Sequence, residues 1–359
     1  MKKMDKVIIL TVILLMIISL FMIYSASFIW AEYKFNNPFK YVINQGIFVI
    51  IGIILLLVVS NINYKLYNKK ASLILITCLI LLILVLIPGL GIVRNGSRSW
   101  FGIGSFSIQP SEFTKIGLII FTSKYLSRSN KFLKDLKKGV FPILIILFLV
   151  FGLIMLEPDF GSGMIIVLTI IAMLFIAGVN MKFFLGLGLL GVIGIIGLII
   201  IAPYRMDRIT SFINPWSDPL GTGFQIIQSL YAIGPGGLFG VGYLNSRQKS
   251  FYLPEPQTDF IFSIIAEEFG IVGALVIILL FSILLIRALK ISLRQEDLFS
   301  KYLSFGLTFQ LIVQVIMNLS VVIGLIPVTG VTLPFLSYGG SSLLTSLIAI
   351  GILLNISKE

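Results

Sequence analysis

The chain has 359 residues, 58% of them apolar and only 12% charged, with no histidine and a single cysteine, Cys78. Disulfide frameworks and Cys/His zinc sites are therefore excluded, and any catalysis must use carboxylates, hydroxyls, Lys or Arg. A net charge of +12 would suggest nucleic acid as partner in a water-soluble protein, but a mean hydropathy of +1.08 leaves too little polar surface for one, so a bilayer is the solvent to consider first.

Apolar runs long enough to cross about 30 Å of hydrocarbon as helix recur along the whole chain. Ten are expected: Val7 to Ile29, Tyr41 to Val59, Ser72 to Ile87, Glu112 to Leu126, Val140 to Leu156, Ser162 to Val179, Phe183 to Ala202, Asp259 to Ile286, Leu303 to Ile323 and Tyr338 to Ile356. The first follows a Lys2/Lys3 start and contains small residues at Tyr24-Ser25-Ala26-Ser27, as a cleavable signal would, but it is longer than a signal-peptide apolar core and nine more follow, so it reads as a span. With the N-terminus inside, 18 of the 27 basic residues fall on the inner side, which supports both termini in the cytoplasm and an all-α polytopic fold. The whole chain, 1–359, reads as one integral-membrane domain.

Two outer connections are long and rich in turn residues: Pro88 to Ser111, and 203–258 between spans seven and eight, which lacks clear helical periodicity. Trp100, Trp216, Phe224, Tyr231, Phe251 and Tyr252 make them too aromatic for disordered linkers, so they are expected to fold against the outer membrane surface. Gly188, Gly191, Gly194 and Gly197 recur every third residue in span seven and suggest a close helix-packing face.

Acids at or inside a span cost roughly 2.5 to 3.5 kcal/mol near the bilayer centre and so ask for a reason. Asp259 opens span eight after Leu253-Pro254-Glu255-Pro256-Gln257-Thr258, where partial desolvation would raise it toward general-base range; the competing reading is a helix N-cap. Glu112 and Lys115 share a helix face and form either a structural ion pair or the polar wall of an outward-facing cavity. Arg205, Arg208, Arg247 and Lys249 in the large loop suit a phosphate or pyrophosphate, or simply snorkel and pair with Asp207 and Asp218. Gly236 to Gly242 is glycine-rich but lacks the context of a nucleotide loop and reads as a turn. Glu267 and Glu268, two turns into span eight, are expected to pair with basic residues elsewhere. Pro327 to Ser342, uncharged and dense in hydroxyls and glycines, lets backbone approach a ligand or another helix closely.

In this order, Asn95-Gly96, Arg98, Trp100, Gln109-Pro110-Ser111-Glu112 with Lys115, Pro158-Asp159-Phe160-Gly161, Leu253-Pro254-Glu255, Thr258-Asp259-Phe260-Ile261-Phe262, Glu267-Glu268, Leu333-Pro334-Phe335 and Ser337-Tyr338-Gly339-Gly340-Ser341-Ser342 resemble the SEDS family (shape, elongation, division and sporulation) of bacterial peptidoglycan polymerases typified by FtsW, RodA and SpoVE. Asn214 to Gly221, Gln225 to Leu230 and Ser246-Arg247-Gln248-Lys249 look more like the FtsW/SpoVE branch than RodA, whereas Ser97, Ser99 and Tyr243-Leu244 depart from it locally. The resemblance implies a glycosyltransferase at the outer face of the cytoplasmic membrane that joins lipid II units and releases undecaprenyl pyrophosphate. It implies Asp259 as the essential acid. It places Glu112, Lys115, Arg98, Arg205, Arg208, Lys249, Ser337 and Ser341 as candidates for substrate binding or the cavity. It also implies a class B penicillin-binding protein as transpeptidase partner, other divisome or elongasome membrane proteins, and no nucleic acid. No cofactor is required outright, though a divalent cation (Mg or Mn) would suit the leaving group. The rival readings are a lipid II flippase, whose transport would survive loss of Asp259, and a non-catalytic division scaffold that recruits the transpeptidase.

Overall fold

A computed structural model describes residues 4–94, 96–103, 106–129, 133, 135–201, 206 and 212–358. All ten expected spans are helices: α1 (Lys6–Phe35), α2 (Lys40–Asn61), α3 (Lys65–Leu86), α4 (Pro110–Ser129), α5 (Phe141–Leu156), α6 (Phe160–Ile176), α7 (Met181–Ile201), then, after a short α8 (Phe224–Ile233), α9 (Ile261–Arg294), α10 (Leu298–Val322) and α11 (Gly340–Ile356). Their ends are set by local chemistry. Asp5 caps α1 by accepting from the Val7 and Ile8 amides, Asp297 caps α10 through the Ser300 amide, and Asp159 caps α6 through the Ser162 amide. A proline opens α4, where its missing N–H costs nothing.

Among the described residues six helical stretches are long and apolar enough to cross a membrane by length and composition: α1, α2, α3, Leu136–Leu156, α9 and α10. α6 and α11 are shorter, and α4 carries the charged pair of the interior. Lys358 donates to the Ser60 carbonyl at 2.8 Å and Asp5 faces Arg287 at 3.9 Å, which sets Asp5, the α2–α3 turn, the end of α9 and Lys358 at one face of the bundle. An even number of spans requires this.

The opposite face holds the two long connections. The first is not an irregular loop: β1 (Ile92–Arg94), β2 (Ser97–Ile103) and β3 (Phe106–Ile108) form a small antiparallel sheet in that order, with Val93 opposite Arg98 and Phe101 opposite Ile108. The second contains α8, a helix missed because its amphipathic run is only ten residues long. Ser229 on α8 donates to the Val322 carbonyl at 2.6 Å and meets the Ser263 hydroxyl at 2.7 Å, so this part of the loop docks onto the tops of α9 and α10.

Two expectations about glycine change. A Cβ placed at Gly188, Gly191, Gly194 or Gly197 would meet nothing within 4 Å among the described residues, so these glycines form no close-packed face there. The glycines that matter for packing lie elsewhere. α9 is broken at Gly270 (φ 65°, ψ −159°), and Gly236 to Gly242 fits into the break. The freed Glu267 and Glu268 carbonyls accept from the Val241 and Gly242 amides at 2.9 and 3.0 Å. The Ile271 and Val272 amides donate to the Gly237 and Leu238 carbonyls at 3.0 and 3.1 Å. A broken span is tolerated in hydrocarbon only when its backbone groups are satisfied in this way. A Cβ at Gly240 would lie 2.2 Å from the Glu268 carbonyl oxygen, so the segment must be glycine there.

Candidate active site

Asp259 lies two residues ahead of α9. The cap of that helix is Phe260 and no side chain bonds to its first turn, so the N-cap reading of Asp259 does not hold. Its carboxylate instead accepts from the Thr258 hydroxyl at 2.7 Å. The residue keeps some contact with solvent while protein surrounds its carboxyl group. Desolvation pushes the pKa up, the Thr258 hydrogen bond opposes this, and the Glu255 charge adds to the rise. Glu255 itself sits at φ 44°, a left-handed conformation unusual for a glutamate, and its carbonyl accepts from the Thr258 amide at 3.0 Å.

The backbone of Asp259 is held from α10. Fully buried Asn318 donates one amide group to the Asp259 carbonyl and to the Val331 carbonyl, both at 2.7 Å. One turn earlier, Gln314 donates to the Thr332 carbonyl and the Ser342 hydroxyl at 3.1 Å. From α2, Gln45 bonds the Ser337 carbonyl and the Gly339 amide, each at 3.3 Å, and the Tyr338 amide donates to the Gln257 carbonyl at 2.8 Å. The uncharged hydroxyl-rich segment is therefore a packed platform that ties the Asp259 turn to α2, α10 and α11. Ser337 takes part by accepting from the Leu333 amide at 2.8 Å, and it is buried.

A second polar cluster joins the sheet, α4, α6 and α11. Asp159 accepts from Gln109 at 2.8 Å and Ser111 at 3.2 Å, while buried Ser341 accepts from the Gln109 amide and donates to the Ser107 carbonyl. A Cβ at Gly161 would stand 2.7 Å from the Thr329 carbonyl oxygen, so the start of α6 packs directly on the platform segment. Sequence reasoning singled out neither Asp159, Gln109, Gln314 nor Asn318 as site residues. The Gln109-Pro110-Ser111-Glu112 and Pro158-Asp159-Phe160-Gly161 stretches carried a signal, whereas Gln314 and Asn318 carried none.

Below this level Lys115 and Glu112 pair at 2.7 Å in the bundle interior, Lys115 1% exposed, and the second Glu112 oxygen accepts from Thr345 on α11 at 3.0 Å. Lys249 does not reach toward a phosphate. It is 2% exposed, bonds Glu268 at 2.7 Å and Ser25 of α1 at 3.0 Å, and its ammonium lies 5.1 Å from the Phe28 ring. The reason is electrostatic: Glu268 is fully buried, and an ionised carboxylate there requires a cation. Arg98, on β2, donates to the Leu86 carbonyl at 3.5 Å, away from the Asp259 turn. Arg205 and Arg208 lie outside the described residues.

Glu157, at the C-terminus of α5, is a further acid that sequence reasoning left without a role. It is fully buried, neither carboxylate oxygen has a hydrogen-bond partner among the described residues, and burial followed by the Asp159 charge raises it to about 8. Among the described residues no group of three or more His, Cys, Asp or Glu side chains could hold a metal.

The model for the family described as "Cell cycle protein" (FtsW, RodA, SpoVE) matches residues 5–359. The chain is 52% identical to Stage V sporulation protein E of Bacillus subtilis (strain 168), over 99% of this chain and 97% of that one. It is 42% identical to a probable peptidoglycan glycosyltransferase FtsW of Trichlorobacter lovleyi, over 98% and 93%. It superposes on a chain from the structure described as "Structural coordination of polymerization and crosslinking by a peptidoglycan synthase complex" with a TM-score of 0.81 at 29% identity, covering 99% and 97%. It superposes on Thermus thermophilus RodA with a TM-score of 0.71 at 25% identity, covering 99% and 96%. Matched over nearly its full length by the family model and by these relatives, the chain belongs to the FtsW/RodA/SpoVE family.

Proposed function

We propose that this chain is a peptidoglycan glycosyltransferase that extends glycan strands from lipid II, with residues 1–359 as one membrane domain and Asp259 as its general base. One observation carries the assignment: Asp259 is enclosed, raised above the ordinary carboxylate range, and not committed to capping the helix it precedes. In the reaction Asp259 takes the proton of the acceptor sugar hydroxyl as that oxygen bonds to the donor's anomeric carbon. The bond to undecaprenyl pyrophosphate breaks with its electron pair leaving on the diphosphate and with inversion at carbon. A diphosphate leaves as a stable anion, so the chain needs no general acid.

Positive charge near the diphosphate would assist. Arg205 and Arg208 are the protein groups we assign to it; Lys249 is not, because Glu268 already holds it. A Mg or Mn ion bound at the diphosphate would supply further charge stabilisation. We place the protein in the bacterial cytoplasmic membrane with the Asp259 face outward, beside a class B penicillin-binding transpeptidase that crosslinks the strands and other divisome or elongasome membrane proteins. The basic residues that collect at the opposite face, with Lys358 against Ser60 and Asn61, support that orientation. Polymerisation of lipid II by the purified chain with its partner tests the assignment. Asp259→Asn should lose about 10²–10⁴-fold in rate, the contribution of a positioned general base, and a wild-type rate in that variant would refute the role. The same variant separates the flippase reading, which expects lipid II transport in liposomes to survive.

A further inference from the structure

Between the break in α9 and the Asp259 turn lies a closed circuit of contacts. The half-helix Ile261 to Phe269 starts two residues after Asp259 and carries Glu267 and Glu268 near its other end. Glu267 is 2% exposed and makes no direct ion pair among the described residues, although the Lys249 charge is near enough to act on it; its carboxylate oxygens are bonded by donors of the loop. The Ser246 hydroxyl donates to one oxygen, the Arg247 amide donates to the other at 2.8 Å, and the Gln248 amide approaches at 3.4 Å. Successive backbone amides converging on one carboxylate make an anion nest, here filled by the protein's own side chain.

Ser246 to Gln248 is where the chain sets out toward Asp259. The Leu253 amide donates to the Gln248 carbonyl at 2.8 Å, the segment continues through Glu255 and Thr258, and Asp259 returns it to the same half-helix. Both ends of the stretch are thus fixed to one short rigid element. Lys249 and Glu268 strap that element to Ser25 of α1, and the glycine segment clasps its broken end.

We propose that Glu267 is a positioning residue for the reaction: its carboxylate holds the Ser246 to Gln248 turn and thereby fixes where Asp259 stands relative to the bound sugars. The proposal rests on the assignment of Asp259 as base. Glu267 touches no substrate in this account. It acts through the 14 residues from Ser246 to Asp259, whose other end is the reacting carboxylate.

The test uses the full chain in liposomes with its transpeptidase and lipid II, and compares amounts of folded protein before rates. Glu267→Ala should lower kcat by about 10²-fold, the loss that follows from roughly an ångström of misplacement, with KM within about threefold of wild type. Glu267→Gln keeps one acceptor oxygen and should lose less. Placing Glu267→Ala on the Asp259→Asn background should lower the residual rate no further, because residues acting through one group are non-additive. A merely structural Glu267 would reduce the yield of folded chain and leave kcat per folded molecule unchanged, and that result overturns the proposal. A full further loss on the Asp259→Asn background overturns it as well. If Glu267→Ala does not fold, Ser246→Ala removes one donor without stranding the charge and must show a smaller fall in kcat with the same non-additivity; a wild-type kcat there overturns the proposal. An inactive Asp259→Asn beside a fully active Glu267→Ala defeats the positioning role alone, whereas an active Asp259→Asn defeats the assignment of the base and this inference together.

Discussion

Glu112 and Lys115 lie one turn apart on α4, whereas Lys249 crosses from a loop to Glu268 on α9 and to Ser25 on α1. Both pairs close at 2.7 Å in the interior of a membrane protein, and they fix different things. The α4 pair is local and neutralises itself on one helix, with Thr345 linking it to α11. The α9 pair joins three separate stretches of chain and holds the half-helix that precedes the break at Gly270. Burial demands that each charge be compensated in either case. Only the second pair also sets the position of the segment that leads to Asp259.

Lys249→Ala breaks this comparison most severely. It strands Glu268, which is fully buried with one oxygen already unpartnered, and should cost about 3–5 kcal/mol in denaturant or thermal unfolding. Lys115→Ala should cost about 3 kcal/mol, the lower end of the range for a broken buried pair, because Thr345 still bonds Glu112. Replacing both members of the α4 pair by apolar residues of similar size should return most of that stability. A double replacement as damaging as the single one would show that the pair has a role beyond self-neutralisation.

Glu157 sharpens the contrast as a buried acid whose carboxylate oxygens have no hydrogen-bond partner among the described residues. Its carboxyl is raised from 4.5 to about 8 in the fold, so it stays protonated at neutral pH while the unfolded chain is ionised. Stability should therefore fall as pH rises between those values, by up to about 1.4 kcal/mol per pH unit, and level off above the folded pKa. Glu157→Gln should remove that slope in unfolding measured across pH 6 to 9, and an unchanged slope would locate the titration elsewhere. The smallest effect is expected on α7: Gly194→Ala meets open space and should stabilise by at most about 1 kcal/mol through helix propensity. A loss of stability there would reveal a packed partner.

The ten spans were legible because apolar length is a property of contiguous sequence, and so was the Glu112–Lys115 pair at i, i+3. Features that depend on distant chain were not. Lys249 looked like a phosphate ligand because its partners stand 19 and 224 residues away. The break at Gly270 is invisible in hydropathy, since the apolar run continues straight through it, and the glycines that fill it read only as a turn. The regular spacing of the α7 glycines suggested packing that the bundle does not use. Asp259 was legible as an acid in an unusual place. Its cap and catalytic readings parted only once Phe260 was seen to begin α9 without a side-chain cap.

The most direct test is the pH dependence of lipid II polymerisation by wild type and Asp259→Asn in the same liposomes. A raised base must lose its proton before it can act. The wild-type rate should therefore climb with pH through a midpoint above the ordinary carboxylate range, while the Asn variant runs about 10²–10⁴-fold slower and lacks that limb. Coincident profiles of similar height for the two proteins would contradict Asp259 as the proton acceptor.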